Sequence, residues 1–169
     1  PHDYHIAHPD TLMSKVKEPC HFAPELNRTK GLDWYLDLFR EGCDCKYRGE
    51  SSVVYTHLPD LTGVPERIAE FTRDAKFLFL MRDPIERAIS HYWHRVRSFR
   101  VVERRDMLTA FREEPLYFNY SDYAMQLEPY LQIFGPTNVL AITFEAMRDD
   151  RYETMKPIIR FLDVPADAA

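Results

Sequence analysis

Glycine is scarce in this chain. Its 169 residues hold five, Gly31, Gly42, Gly49, Gly63 and Gly135, and no two have the GxxxxGK or GxGxxG spacing of a loop that cradles phosphates with backbone amides. A kinase or NTPase built from these residues therefore lacks both its own phosphate loop and the magnesium-binding Ser/Thr that follows it. Cysteine is equally sparse. Cys20, Cys43 and Cys45 make an odd set, and the Cys-x-Cys pair is too close for an easy mutual bridge, which excludes a disulfide framework and points to a reducing, cytoplasmic compartment. No apolar run reaches membrane-spanning length, and the first residues lack the basic-then-apolar layout of a signal peptide. A net charge of −5 offers no excess of cations for nucleic acid. Seven histidines are present, yet no zinc-type spacing completes around His91 and His94, so no metal is expected. Internal repeats and low-complexity segments are also missing.

What remains is ordinary globular usage, 45% hydrophobic and 29% charged, in a chain long enough to bury a core as one domain over residues 1–169. The most informative stretch is Lys76–Ser90. Lys76 to Met81 form a near-continuous apolar run, the signature of a strand covered on both faces in a parallel sheet. Helix-start signals follow at once, with Asp83 placed to cap, Pro84 at the first helical position and Glu86 three residues after the cap. Ile85, Ile89, Tyr92, Val96 and Phe99 then recur at helical spacing. Arg82 at the strand's carboxyl end and Ser90 near the second helical turn converge on one mouth. The helix N-terminus adds partial positive charge and free amides, so a phosphate is the expected guest.

At Arg82, Asp83, Pro84, Arg87 and Ser90 the chain resembles the sulfotransferases that use 3'-phosphoadenosine-5'-phosphosulfate (PAPS), particularly the carbohydrate-type and bacterial branch. The resemblance implies that Arg82 and Ser90 bind the 3'-phosphate of the nucleotide. It continues along the chain in order. His8-Pro9-Asp10 looks like the family's His-Pro-Asp, and Lys17-Glu18 to Phe22 like its Lys-Glu-x-x-x-Phe. Gly31 to Tyr35 resembles its Gly-x-x-Trp-Tyr helix, and Gly49 to Tyr55 its Gly-Glu-x-[Ser/Thr]-x-x-Tyr strand end. Tyr123 to Phe134, Val139 to Glu145 and Phe161 to Pro165 are similar to its later elements. Ser51 and Val53 depart from the lysine and proline that many members carry, so nothing resting on those side chains carries over.

The resemblance implies a sulfotransferase that moves a sulfuryl group from PAPS, its co-substrate, to a hydroxyl or amine of a carbohydrate, lipid or small metabolite. The alternatives are a nucleotide-binding pseudoenzyme and a P-loop kinase-like protein. Transfer needs a base for the acceptor proton and cations for the leaving phosphate. Glu18 is the base that the resemblance implies. His57 is the rival, because Thr56-His57-Leu58-Pro59 resembles the Thr-His-Leu-Pro of cytosolic small-molecule sulfotransferases, where that histidine is the base. Cys20, beside Glu18, is read as a small buried hydrophobe, since direct transfer needs no covalent intermediate. The family's glycine-rich 5'-phosphosulfate loop precedes its His-Pro-Asp, and its C-terminal segment follows Pro165. Both are expected to lie outside these residues unless the domain is degenerate.

The fold implied is a three-layer α/β/α sandwich with a central parallel sheet, of the P-loop NTPase-like sulfotransferase type. Strands are expected near Thr11–Lys15, Tyr47–Ser52, Lys76–Met81 and Val139–Thr143. Helices are expected at Thr29–Phe39, Pro65–Arg73, Pro84–Phe99, Arg104–Arg112, Ser121–Phe134 and Tyr152–Leu162. Glu114 to Tyr120 is the best stretch for an irregular, aromatic-rich lid or acceptor loop, although packing is the ordinary role for Tyr117, Phe118 and Tyr120. The arginines from Arg87 to Arg105 read as a solvated helix face rather than an acceptor surface.

Overall fold

A computed structural model of the chain describes residues 9–27, 30–42, 44–99 and 102–165. Four strands lie among them, β1 (Thr11–Met13), β2 (Tyr47–Gly49), β3 (Phe77–Met81) and β4 (Val139–Thr143). The helices are α1 (Pro24–Asn27), α2 (Gly31–Asp37), α3 (Val64–Phe71), α4 (Pro84–Arg97) and α5 (Met107–Glu113). They continue with α6 (Leu116–Asn119), α7 (Tyr123–Phe134), α8 (Phe144–Asp149) and α9 (Arg151–Leu162).

Parallel pairing places the core. β3 and β4 run in register, Phe77 opposite Val139 and Leu78 opposite Leu140. Because side chains alternate across a strand, each registered pair shares a face. Phe77 and Val139 pack on a cluster that includes Phe22, Tyr35, Leu38, Phe39, Ile68, Tyr130 and Phe134, contributed by the Glu18 turn, α2 and the two residues after it, α3 and α7. Leu78 and Leu140 turn the other way, onto Ile158, Leu162 and Val164 at α9. Helices thus cover both faces, which is why β3 carries almost no polar residue. β1 and β2 form a second parallel pair, Thr11 opposite Tyr47 and Met13 opposite Gly49. Among the described residues no hydrogen-bonded ladder joins β2 to β3, so the expected central sheet is present as two parallel pairs. Tyr47 of β2 nevertheless packs on the α9 cluster beside Leu78 and Leu140.

Local chemistry explains the helix starts. Asp83, Asp106, Asp122, Thr143 and Asp150 each accept a backbone N–H of the first turn of α4, α5, α7, α8 and α9. α7 and α9 contain Pro129 and Pro157 within their spans. Hydrophobic faces against the core outweigh the amide bond each proline forfeits.

Three expectations change. α1, α6 and α8 were not expected, because helices of four to six residues carry too few turns for a period to show. The stretch expected to be irregular, Glu114 to Tyr120, contains α6, and Tyr117 in it is fully buried in a cluster with Ala88, Tyr92 and Ala110. It is a packing element rather than a lid. The arginine-rich stretch is not one solvated face: Arg105 pairs with the buried Glu103, and Arg95 lies over the Tyr117 ring. His8, Thr29, Cys43 and Arg100 lie outside the described residues.

Candidate functional site at the strand ends

The β3–α4 junction is fixed on every side. Asp83 Oδ1 accepts from the amides of Ile85 and Glu86 at 3.0 and 2.9 Å, and Pro84 takes the first helical position. The Tyr123 hydroxyl donates to the Arg82 carbonyl at 2.8 Å and accepts the Arg82 amide at 3.1 Å. Glu145, just past β4, accepts the Asp83 amide at 3.1 Å. With the backbone so clamped, the Arg82 guanidinium lies 5.6 Å from the Phe144 ring centroid, and its Nη2 donates to Glu86 Oε2 at 2.9 Å.

Arg82 and Ser90 come together as expected. Both line an open cleft of about 470 Å³ along one face of α4, shared with Glu86, Trp93, His94 and Arg97. Residues 86, 90, 93 and 97 of α4 recur at three- and four-residue steps, so one helical stripe forms the wall and Arg82, just before the helix, closes its end. The cleft offers two guanidinium groups and a hydroxyl against one carboxylate, a donor set suited to a phosphate dianion. Arg87, the second arginine of the motif, faces elsewhere. Its Nε donates to Ser121 Oγ and its Nη2 to the Tyr117 carbonyl, fastening α4 to α6.

Glu18 occupies a tight turn after β1. It is half-buried, and both it and Cys20 adopt left-handed backbone, at φ 53° and 51°. The turn is tied to the end of β2. Ser52 Oγ accepts the Cys20 amide at 3.1 Å, and the Tyr55 hydroxyl accepts the Phe22 amide at 3.2 Å. Both hydroxyls donate to Glu50, at 2.6 and 2.9 Å, and Tyr35 adds a third donor at 2.8 Å. Burial raises the Glu50 carboxyl above its ordinary value despite those three donors. The Cys20 thiol is pushed up, first by burial and then by Glu18 and Glu50, which makes it a poor nucleophile.

His57 sits in a different cluster. Its ring stacks on Tyr120 with centroids 4.0 Å apart, and Tyr120 also stacks with His91 at 5.8 Å. Burial first, then the Arg87 charge, push His57 down to about 4. His91 is likewise lowered to about 4 by burial, Arg87 and Arg95. Both imidazoles are neutral near pH 7, and His57 keeps a lone pair of reduced basicity. The two candidate bases therefore belong to separate constellations, Glu18 with Glu50 and Cys20, His57 with Tyr120, Asp60 and Arg87. In the sequence Tyr120, Tyr123 and Glu145 stand as packing or family-like residues, none of them with a role at the site. Their partners lie tens of residues away, and no local pattern signals them.

Among the described residues, no group of three His, Cys, Asp or Glu side chains is placed to hold a metal ion, and no helix is long and apolar enough to cross a membrane.

Comparison with known proteins supplies the lineage. The sulfotransferase domain family matches residues 3–169. Human bifunctional heparan sulfate N-deacetylase/N-sulfotransferase 3 is 26% identical over 179 residues, covering 94% of this chain and 20% of the relative. Mouse heparan sulfate glucosamine 3-O-sulfotransferase 3A1 is 27% identical over 163 residues, covering 92% of this chain and 40% of the relative. The chain thus spans well under half the length of these curated relatives. Among solved structures, a sulfotransferase from Alicyclobacillus acidocaldarius superimposes with a TM-score of 0.79 at 29% identity, covering 97% of this chain and 75% of that one. Mouse sulfotransferase SULT7A1 complexed with PAP shares the fold at a TM-score of 0.54 and 18% identity, covering 98% of this chain and 62% of that one. With a clamped strand-to-helix junction, an arginine and a serine on one cleft, and the family match spanning nearly every residue, the chain belongs to the sulfotransferase domain family.

Proposed function

We propose that this chain is the nucleotide- and acceptor-binding part of a PAPS-dependent sulfotransferase acting on a hydroxyl or amine of a carbohydrate, a lipid or a small metabolite. The observation that carries the reading is the convergence of Arg82 and Ser90 on one cleft beside the capped N-terminus of α4. Their donors fit a 3'-phosphate, with Arg82 supplying charge and Ser90 a hydroxyl. When bound, PAPS supplies an activated sulfuryl group whose leaving group is the nucleotide 5'-phosphate. The carbohydrate acceptor class follows the named activities of the heparan sulfate relatives. A cytoplasmic setting is part of the same proposal, and the free thiols of Cys20 and Cys45 agree with it.

Sulfuryl transfer is an in-line displacement in which the protein contributes mainly positioning and charge. In this reading Glu18 takes the proton from the acceptor as its oxygen or nitrogen bonds to sulfur. Arg82 and Ser90 hold the far end of the donor, so that binding energy distant from the reacting atoms orients the near end. His57 is the rival base; its imidazole is neutral near pH 7, but burial and the Arg87 charge lower its basicity.

Calorimetric titration tests the assignment. Arg82→Ala is expected to weaken binding of 3'-phosphoadenosine-5'-phosphate by roughly 1.5–3 kcal/mol, the worth of a charged hydrogen bond, and to leave binding of the analogue without the 3'-phosphate nearly unchanged. Equal losses for both ligands would show that Arg82 does not hold that phosphate.

A further inference from the structure

Glu50 sits at the carboxyl end of β2, immediately after Gly49, which pairs with Met13 of β1. The Glu18 turn leaves β1 at the neighbouring strand end, so the two carboxylates face the problem of position together. Glu50 makes no contact with the Arg82 cleft. Its oxygens are taken up by hydroxyl hydrogens, Ser52 on Oε2 and Tyr35 and Tyr55 on Oε1. Each hydroxyl has one hydrogen to give. Because Ser52 and Tyr55 spend theirs on Glu50, their lone pairs are turned outward, and these receive the amides of Cys20 and Phe22.

We propose that Glu50 is the positioning residue for Glu18, setting the donor–acceptor sense of the Ser52 and Tyr55 hydroxyls so that both accept amides of the turn Glu18 begins. The proposal rests on Glu18 being the base. Other groups also hold the turn, Arg67 Nε on the Phe22 carbonyl at 2.7 Å and Asn27 on the Pro19 carbonyl. Those donors serve carbonyls; the amides of Cys20 and Phe22 depend on hydroxyls oriented by Glu50. The amide at Cys20 matters most, since it lies two residues from Glu18 and both residues carry left-handed backbone. Left-handed non-glycine backbone persists where surrounding bonds over-determine it. A carboxylate kept partly buried to organise two hydroxyls costs desolvation that a purely structural site would avoid with apolar packing.

The stereochemistry dictates an unusual sensitivity. In Glu50→Gln the carboxamide keeps the volume but presents hydrogens where an oxygen stood. One hydroxyl must then turn a lone pair toward it; the other lone pair still reaches the backbone amide, but the hydrogen loses the carboxylate that anchored it, so the hydroxyl no longer has a fixed rotor. The change is of one hydrogen, yet it loosens a bond at the turn.

The test uses the full-length protein with three readouts. In Glu50→Gln, exchange of the Cys20 or Phe22 amide is expected to accelerate about three- to tenfold, as the hydroxyl that protects it loses its anchor. kcat is expected to fall roughly 10- to 100-fold, the cost of a misplaced reacting group, while affinity for 3'-phosphoadenosine-5'-phosphate stays within about twofold. Ser52→Ala should reproduce part of the loss, and Ser52→Thr, which keeps the hydroxyl, should restore it. Combining Glu50→Gln with Glu18→Gln should be no slower than Glu18→Gln alone, because one residue acts through the other. Unchanged exchange in Glu50→Gln overturns the relay whatever the turnover does. Losses that multiply in the double variant overturn the route through Glu18. Intact turnover in Glu18→Gln, with accelerated exchange in Glu50→Gln, overturns the base reading alone.

Discussion

Backbone strain and side-chain chemistry coincide at Glu18. Left-handed backbone costs a non-glycine residue of order 1 kcal/mol, and the turn holds two such residues, Glu18 and Cys20, within three positions. Hydrogen bonds to Ser52 and Tyr55, just past β2, offset that cost. Two variants separate the rival bases. Glu18→Gln preserves shape and hydrogen bonding but removes basicity, so turnover is expected to fall by about 10²–10⁴ with nucleotide affinity nearly constant. His57→Ala is expected to reduce turnover only through the lost stack on Tyr120. A well-folded Glu18→Gln protein with near-normal turnover, together with a collapse in His57→Ala, would transfer the role to His57. That Arg82 and Ser90 share one cleft was legible from the chain because the features that place them are local, a strand end, a cap and two turns of helix. Tyr123 was not, since its hydroxyl clamps Arg82 across 41 positions and nothing near Tyr123 announces it.

At the scale of elements, legibility followed length. The apolar run of β3 and the amphipathic faces of α4 and α7 carry enough turns or alternations to declare themselves, and they appear where expected to within two or three residues. Short pieces such as α6 do not, so Tyr117 read as part of an aromatic loop although it is the best-buried large residue of its cluster. α4 also carries a consequence of helical spacing that bears on the nucleotide. Arg82 and Glu86 are four residues apart and ion-paired at 2.9 Å, and both face the cleft. A phosphate arriving at Arg82 must displace that carboxylate or sit beside it. An exposed pair at this spacing is worth only about 0.3–0.5 kcal/mol, so the barrier is low, but like-charge repulsion adds to it. Glu86→Gln is expected to tighten binding of 3'-phosphoadenosine-5'-phosphate by roughly two- to fivefold. Titration with the analogue lacking the 3'-phosphate should show no gain. Weaker binding in Glu86→Gln would mean that the pair orients Arg82 for the ligand instead of competing for it.

Over the whole molecule, the titratable groups divide by sign, and their balance sets how the fold responds to acid. His57 and His91 fall from an ordinary 6.5 to about 4 on burial, so the unfolded chain binds their protons first. Their contribution is complete above about pH 6.5 and is lost as pH falls toward 4, with a slope of at most about 1.4 kcal/mol per pH unit for each. Glu103 extends the same trend. The Arg105 side chain, two backbone amides and the Tyr117 hydroxyl hold its carboxyl well below the usual range, so its contribution is present above pH 4.5 and lost beneath it. Glu50 opposes them: burial raises its value, so the strain of its ionised form is relieved as pH drops. Denaturant melts across pH should therefore show stability declining from pH 6.5 to 4, then falling again below 4.5. Replacing both His57 and His91 with glutamine is expected to flatten the first decline and leave the second. Glu103→Gln should shrink the second, which Asp106, Glu41 and Asp163 share, and lower stability at pH 7, because Tyr117 and Arg105 lose the carboxylate that joins α6 to the loop before α5. A first decline that survives the double histidine change would assign it to other groups, and would remove the argument that the His57–Tyr120–His91 stack is held neutral at physiological pH.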